Sequence, residues 1–372
     1  MPITLSQLRR YALARSLFTP TTLEAAIARM GFVQADPIRA PARAQDLTLR
    51  HRVRGYAAGD LERRYAQLPV EEDYFVNYGF LPRSVQALMH PRHARQAWPS
   101  ARMAQARAVW QFISERGSAH PREVEAQFAH GKTVNGFGGT SNASTQLLDG
   151  MHYRGWLRVL RREGGTRVYA AQPWRTSTVP RAVAATRLDQ LLDVIVGAYA
   201  PLPAPTLAQL VSQLRGGVPQ WSDLRGAALT RGKQRWGSAH VDGVDWYWPV
   251  GEDPAAVRRR EAGRVRLLAP FDPVVWDRRR FEAFWGWAYR FEAYTPAARR
   301  TLGYYALPML WGDQIIGWGN LRVQDGQVHS QFGYVAGKAP EAAAFAPALA
   351  KELQRMATFL GLPTDVEGVP GG

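Results

Sequence analysis

Apolar residues recur at helical spacing over 5–17 and again over 21–30. The second stretch carries its own punctuation: Thr21 and Thr22, after Pro20, are N-cap residues, and Gly31 is a stop. A short strand or turn is expected around Gln34, and 60–65 is helical again, whereas "EEDYFVNYGFLP" (71–82) follows neither the helical nor the strand period. From 101 the pattern is a helix (101–116), a turn and second helix in "GSAHPREVEAQF", a Gly-rich loop "NGFGGTSN", and a third helix capped by Ser141 or Asn142. "GWLRVLRREGGTRVYAA" then alternates as two strands joined at Gly164–Gly165. Three helices and a two-stranded wing is the winged-helix order. It returns as a helix at 187–199, "APTLAQLVSQL", a segment at 221–231, and strands around "HVDGVDWYWPV" turning at Asp242–Gly243, which argues for tandem modules. The prolines at 173, 180, 201, 203 and 205 suit linkers and turns between them.

After the run Arg258–Arg260 the alternation becomes that of a β-meander with turns at Gly312–Asp313 and Asp325–Gly326, expected to form a small barrel or curled sheet. A closing helix spans 341–360, and the Gly/Pro-rich tail beyond Leu362 is expected to fray. The tryptophans at 276, 285, 287, 311 and 318 read as core.

Composition narrows the classes. No window approaches the run of about 20 apolar residues that a spanning helix needs, and the N-terminus lacks the apolar segment of a secretory signal. A cytoplasmic protein is therefore expected. With no cysteine there is neither a disulfide framework nor a thiolate metal site. His90 and His93 are the closest histidine pair, and no carboxylate stands near them in sequence, so no metal or other cofactor is expected.

Charge changes the picture most. A net charge of +16 and a pI near 10.5 suit a polyanionic partner. Only four of the 47 basic residues are lysine. A GC-rich coding sequence would favour arginine over lysine, but it does not account for 47 basic against 31 acidic residues. Guanidinium also grips phosphate at two points. Nucleic acid is the expected partner rather than a membrane surface, because no segment reads as a membrane-lying helix.

Candidate chemistry concentrates in "GFVQADPIRAPARAQDLTLRHRV" (31–53). In an extended segment Gln34 and Asp36 point to the same side and face one spot about 5–7 Å across. The competing reading is a turn, since Asp before Pro37 is a common loop starter. Elsewhere, the third helix of the second module offers Asn142, Gln146, Asp149, His152 and Arg154, and its wing carries Arg158, Arg161, Arg162 and Arg167. "DRRRFE" (277–282), with Arg278 and Arg279, is either a phosphate clamp or a solvated, self-neutralising face.

GFVQAD followed by PARAQDLTLRHR resembles the motif of the YcaQ/AlkZ family of bacterial winged-helix DNA glycosylases. "LLAPFDPVVWDRRR…YRFEAYTPAARRTLGYYALPMLWGDQIIG" looks like the C-terminal region of the same family. Two departures, Gln45–Asp46 where relatives carry His-His and WGNLRV after the "GDQIIG" turn, mark a divergent member of the Gln-x-Asp, YcaQ-like branch. The resemblance implies an α+β protein with three winged-helix units and a β-barrel-like region, C-shaped around a basic concave surface. The divisions expected are 1–98, 99–178, 179–254 and 255–372. It further implies hydrolysis of the N-glycosidic bond of N7-alkylated purines in double-stranded DNA and the unhooking of interstrand crosslinks, without metal; a monomer is expected.

In that chemistry Asp36 stabilises an oxocarbenium-like sugar and takes the proton of the attacking water, while Gln34 orients the water or holds the sugar–phosphate. Arg39, Arg43, Gln45, Arg50 and Arg52 would hold the strand beside it, joined by Arg161, Arg162, Arg167, Arg278 and Arg279. No lysine lies in 31–53, so no Schiff-base lyase step is expected. An enzyme of crosslinks should carry its motif on an exposed loop of an open basic cleft. The alternative is a non-catalytic winged-helix DNA-binding protein or transcriptional regulator in which Asp36 is only a turn residue. A nuclease is disfavoured, because no cluster of acidic metal ligands is apparent.

Overall fold

The computed structural model describes residues 2–93, 96–134, 140–257 and 263–363. Residues 135–139 of the Gly-rich loop, the Arg258–Arg260 run and the tail from 364 lie outside the described residues. By backbone contacts the chain divides into two compact units, Met1–Asp60 with Ile195–Ala208 and Lys233–Gly372, and Leu61–Val194 with Gln209–Gly232. No helix of the described residues is long and apolar enough to cross a membrane.

In the first unit, helix Leu5–Ser16 starts with a reciprocal capping box: Gln7 N donates to Thr4 Oγ1 at 3.3 Å and Thr4 N donates to Gln7 Oε1 at 2.8 Å. Helix Leu23–Met30 is capped by Thr22 and ends at Gly31, whose φ of 70° a side chain would resist. Strand Val33–Gln34 and the wholly buried helix Ala44–Leu49 follow. Leu13 and Leu17 pack with Leu268, Val275, Phe281 and Leu310 in one core, against which Trp285, Trp287 and Trp318 lie partly buried. Each fully buried leucine contributes roughly 2 kcal/mol. Leu202–Pro203, Val244–Trp248 and Gly237–Val241 form a small antiparallel sheet whose Asp242–Gly243 turn has both residues at positive φ.

The C-terminal strands correct the barrel expectation. Val265–Leu267, Leu307–Trp311, Gln314–Gln324 and Gln327–Tyr334 pair antiparallel in that order, without closure between the first and last. The reason lies at the first strand's free edge. Leu267 N donates to Glu352 and Val265 O accepts from Arg355, both on the closing helix Phe345–Leu360, while Arg50 and His51 reach Leu267 O. Side chains satisfy the backbone groups that a closing strand would have paired.

In the second unit, the aromatic run unassigned by period is a hairpin, Val70–Tyr74 with Tyr78–Pro82. Helices Ser100–Arg116, Pro121–Phe128 and Ala143–Tyr153 and the hairpin Leu157–Glu163 with Thr166–Ala171 then follow in the order read from the sequence. Short strands Lys132–Val134 and Thr140–Asn142 border the Gly-rich loop. The consecutive acids Glu71, Glu72 and Asp73 are all buried in the first strand, so alternation could not reveal it.

Candidate active site

Gly31 turns the chain out of its helix, Phe32 and Val33 anchor it in the core, and Gln34 ends the short strand. Gln34 and Asp36 are each only 8% exposed, so the motif is not on an exposed loop. Gln34 Oε1 is buried and accepts no hydrogen bond among the described residues. Asp36 Oδ1 accepts the Ile38 N–H at 2.9 Å, an Asx turn, so the turn reading holds for one oxygen. Burial pushes the Asp36 carboxyl above its ordinary range, against the pull of that one N–H.

Gln45 was expected on DNA; it is 3% exposed and instead accepts the Asp36 N–H on Oε1 at 3.2 Å. Its neighbour Asp46 accepts from Tyr56 Oη at 2.7 Å and Gly59 N at 3.2 Å. Gln45 therefore fixes the backbone of the motif's turn, while Asp46 ties down the segment at Tyr56 and Gly59.

Sequence reasoning missed a second wall. Tyr305 is buried, and its hydroxyl has no hydrogen-bond partner among the described residues. Burial raises its phenol, and the negative charge of Asp36 raises it further, which places the two groups in one electrostatic neighbourhood. Tyr304 and Tyr305 line a groove of about 820 Å³ together with Arg39, Pro41, Arg322 and His329. Glu292 holds the approach to that wall by accepting from the backbone N–H groups of Thr301 (2.9 Å), Leu302 (2.8 Å) and Gly303 (3.3 Å). Gly303 sits at φ 110°, and a Cβ there would lie 2.5 Å from the Asn320 side chain. The "GYYALP" stretch at 303–308 was the available signal, but composition gives no hint that one tyrosine hydroxyl would be left unpaired.

The expected phosphate contacts separate sharply. Arg39 is exposed at the groove and Arg43 half-buried. Arg50 and Arg52 need correction. Arg50 is ion-paired with the buried Glu352, and Arg52 is wholly buried, clamping Asp272 with Nη1 and Nη2 at 2.7 and 2.9 Å. Neither presents a guanidinium to a strand. On the wing, Arg158 meets Glu71, Arg162 meets Glu72, Arg167 meets Glu72 and Asp149, and the exposed Arg161 meets Glu163. Asn142 caps its helix and His152 is buried, so that helix's expected reading face is largely occupied. Arg278 lies over the Tyr289 ring and donates to the carbonyls of Val275 and Pro270, while Arg279 is exposed. Asp277 serves as the N-cap of this helix.

A family model described as DNA glycosylase AlkZ-like matches residues 27–359. The chain belongs to the AlkZ-like DNA glycosylase family. Among solved structures, Streptomyces sahachiroi DNA glycosylase AlkZ aligns over 100% of this chain and 99% of its own, with a TM-score of 0.63 and 14% identity. At that identity the likeness speaks for the fold. For an AlkZ-like DNA glycosylase the substrate is DNA, and the motif at 34–36 and the Tyr305 wall both fall inside the matched span.

Proposed function

We propose that this chain is a monofunctional DNA glycosylase that releases N7-alkylated purines and unhooks interstrand crosslinks, with Asp36 and Gln34 acting on the glycosidic bond. The supporting observation is a nearly buried carboxylate with no cation paired to it among the described residues, beside a groove lined by Arg39 and Tyr305. An N7-alkylguanine is already cationic, so its departure needs little acid catalysis. As the C1′–N9 bond breaks, positive charge gathers on the sugar, and water adds to C1′ while Asp36 takes its proton. At about 4 Å and an effective dielectric near 20, the carboxylate stabilises that cation by on the order of 4 kcal/mol, roughly a thousandfold in rate. The unpartnered Gln34 Oε1 orients the water, and the Tyr305 hydroxyl supplies a hydrogen bond at the same wall.

Neither 31–53 nor the described groove lining contains a lysine, which supports an intact abasic site as product. The same reading takes the protein as a cytoplasmic monomer without a cofactor. Arg39 and Arg43 would hold the strand at the groove, with Arg279 and Arg161 as exposed contacts farther along the chain. The Asx turn at Asp36 is the one observation that favours the alternative of a non-catalytic DNA-binding protein.

Duplex DNA carrying one N7-methylguanine, and in parallel one nitrogen-mustard crosslink, decides the matter. With abasic sites revealed by alkali, Asp36→Asn should release base about a thousandfold more slowly than the wild type. Equal release would remove Asp36 from the chemistry. No release by either protein, with DNA binding intact, would make the binding-protein reading the right one.

A further inference from the structure

The second unit holds a recess of about 510 Å³, separate in sequence and fold from the groove beside Asp36. Five arginines line it: Arg83, Arg154, Arg158, Arg175 and Arg187. One carboxylate, Glu71, faces them, and it is already engaged by Arg83 and Arg158, each at 2.8 Å. Of the other three, Arg175 is exposed, and Arg154 and Arg187 are held by carbonyls rather than by acids. Arg187 donates to His90 O at 2.8 Å. Arg154 donates to Gly150 O at 3.1 Å and Gln96 O at 3.2 Å, and it stacks 3.9 Å over the Trp98 ring. Arg102 lies over the same ring at 4.7 Å, so a further positive charge stands near Arg154. Carbonyls and an aromatic face orient guanidiniums while leaving their charge available.

Like charges gathered at fixed positions repel, and that cost is recovered when an anion enters. Five guanidiniums against one carboxylate exceed what a single phosphate dianion neutralises, and exposed Arg83 and Arg175 carry the positive lining out to solvent. We propose that this recess binds the phosphodiester backbone of a nucleic-acid strand, as a site separate from the one that acts on the glycosidic bond. A run of roughly four singly charged phosphates matches its charge.

The test is binding of an undamaged, mixed-sequence single-stranded oligonucleotide by the full chain across a salt series, with no base release measured, so its outcome is independent of the glycosylase reading. Arg175→Gln with Arg187→Gln should lower the log–log salt slope by about 1.4, the counterion term for two contacts on a single strand, so that the loss of affinity relative to the wild type is roughly 25-fold greater at 0.1 M salt than at 1 M. Arg122→Gln, at an exposed position of helix Pro121–Phe128, controls for loss of one charge elsewhere in the unit. Should the double variant melt early, Arg175→Gln alone, in an exposed coil, should still lower the slope by about 0.7. A slope and affinity matching those of Arg122→Gln would overturn the proposal. So would loss of pyrophosphate binding in the double variant with strand affinity at the wild-type value, which would make the recess a site for free anions.

Discussion

Asp36 and Asp73 are both carboxylates withdrawn from water, and burial leaves them in opposite conditions. Asp73 accepts from Arg92 at 2.8 Å, His90 at 2.7 Å and Gln86 at 3.2 Å. Burial alone would raise it, but Arg92 and His90 hold it far below the usual carboxylate range. Among the described residues Asp36 has one backbone N–H and no cation, and its carboxyl is raised. The first charge is spent inside the fold, and the second is left to meet a cation that arrives from outside. A buried acid with its counter-charge built in is architecture; one without it stands ready for chemistry.

The largest effect that would test this contrast is on stability. Asp73→Asn leaves Arg92 buried without its partner and should cost about 3–5 kcal/mol, read as a shifted denaturant midpoint. Asp36→Asn removes an unpaired buried charge and should leave stability at pH 7 equal or slightly higher. The pH dependences have opposite signs. Asp73 is depressed in the folded state, so its contribution is present above its unfolded value near 3.8 and is lost as pH falls through the folded one. Asp36 is raised, so its contribution is complete below 3.8 and is lost as pH rises through its folded value. Acid unfolding should therefore have a shallower slope in Asp73→Asn and a slightly steeper one in Asp36→Asn. Equal slopes in the two variants would erase the contrast.

A smaller effect should follow from the residues around Asp36. Gln45→Ala removes the acceptor of the Asp36 N–H, and Tyr305→Phe removes the unpartnered hydroxyl. Each should slow base release by roughly tenfold, about one hydrogen bond's worth, without loss of DNA affinity. A change in affinity with unchanged release would assign both residues to strand binding.

Local structure was legible where chemistry is local. The helices at 5–17 and 21–30 appear as Leu5–Ser16 and Leu23–Met30, because a threonine cap and a left-handed glycine act within one turn. The turns at Asp242–Gly243 and Asp325–Gly326 adopt the positive φ that those dipeptides favour. Gln34 and Asp36 stood out for the same reason, since both lie on one short segment. What could not be read was which charge answers which. Arg52 and Asp272 are 220 residues apart, Arg162 and Glu72 are 90, and His90 finds Asp73 17 residues back in a strand that period did not reveal. Arginine spacing shows a basic surface only after the acids that will fold against it have been subtracted. The open C-terminal sheet is a case of the same kind, because the side chains that occupy its edge come from helices remote in sequence.

The smallest expected effect is the sharpest test of that subtraction. Arg162 and Arg39 are indistinguishable by charge, yet Arg162 is bound to Glu72 with Arg167 beside it, whereas Arg39 is exposed at the groove. Arg39→Gln should lower the salt slope for duplex DNA by about 0.9, one phosphate contact. Arg162→Gln should leave that slope unchanged and appear only as lost stability, because Glu72 loses one of two guanidiniums and keeps the Tyr78 hydroxyl at 2.7 Å. An equal drop in slope for both would mean that the wing releases its arginines when DNA arrives. The acids at 71–73 would then be place-holders for phosphate rather than permanent partners, and the distinction between spent and available charge would depend on the bound state.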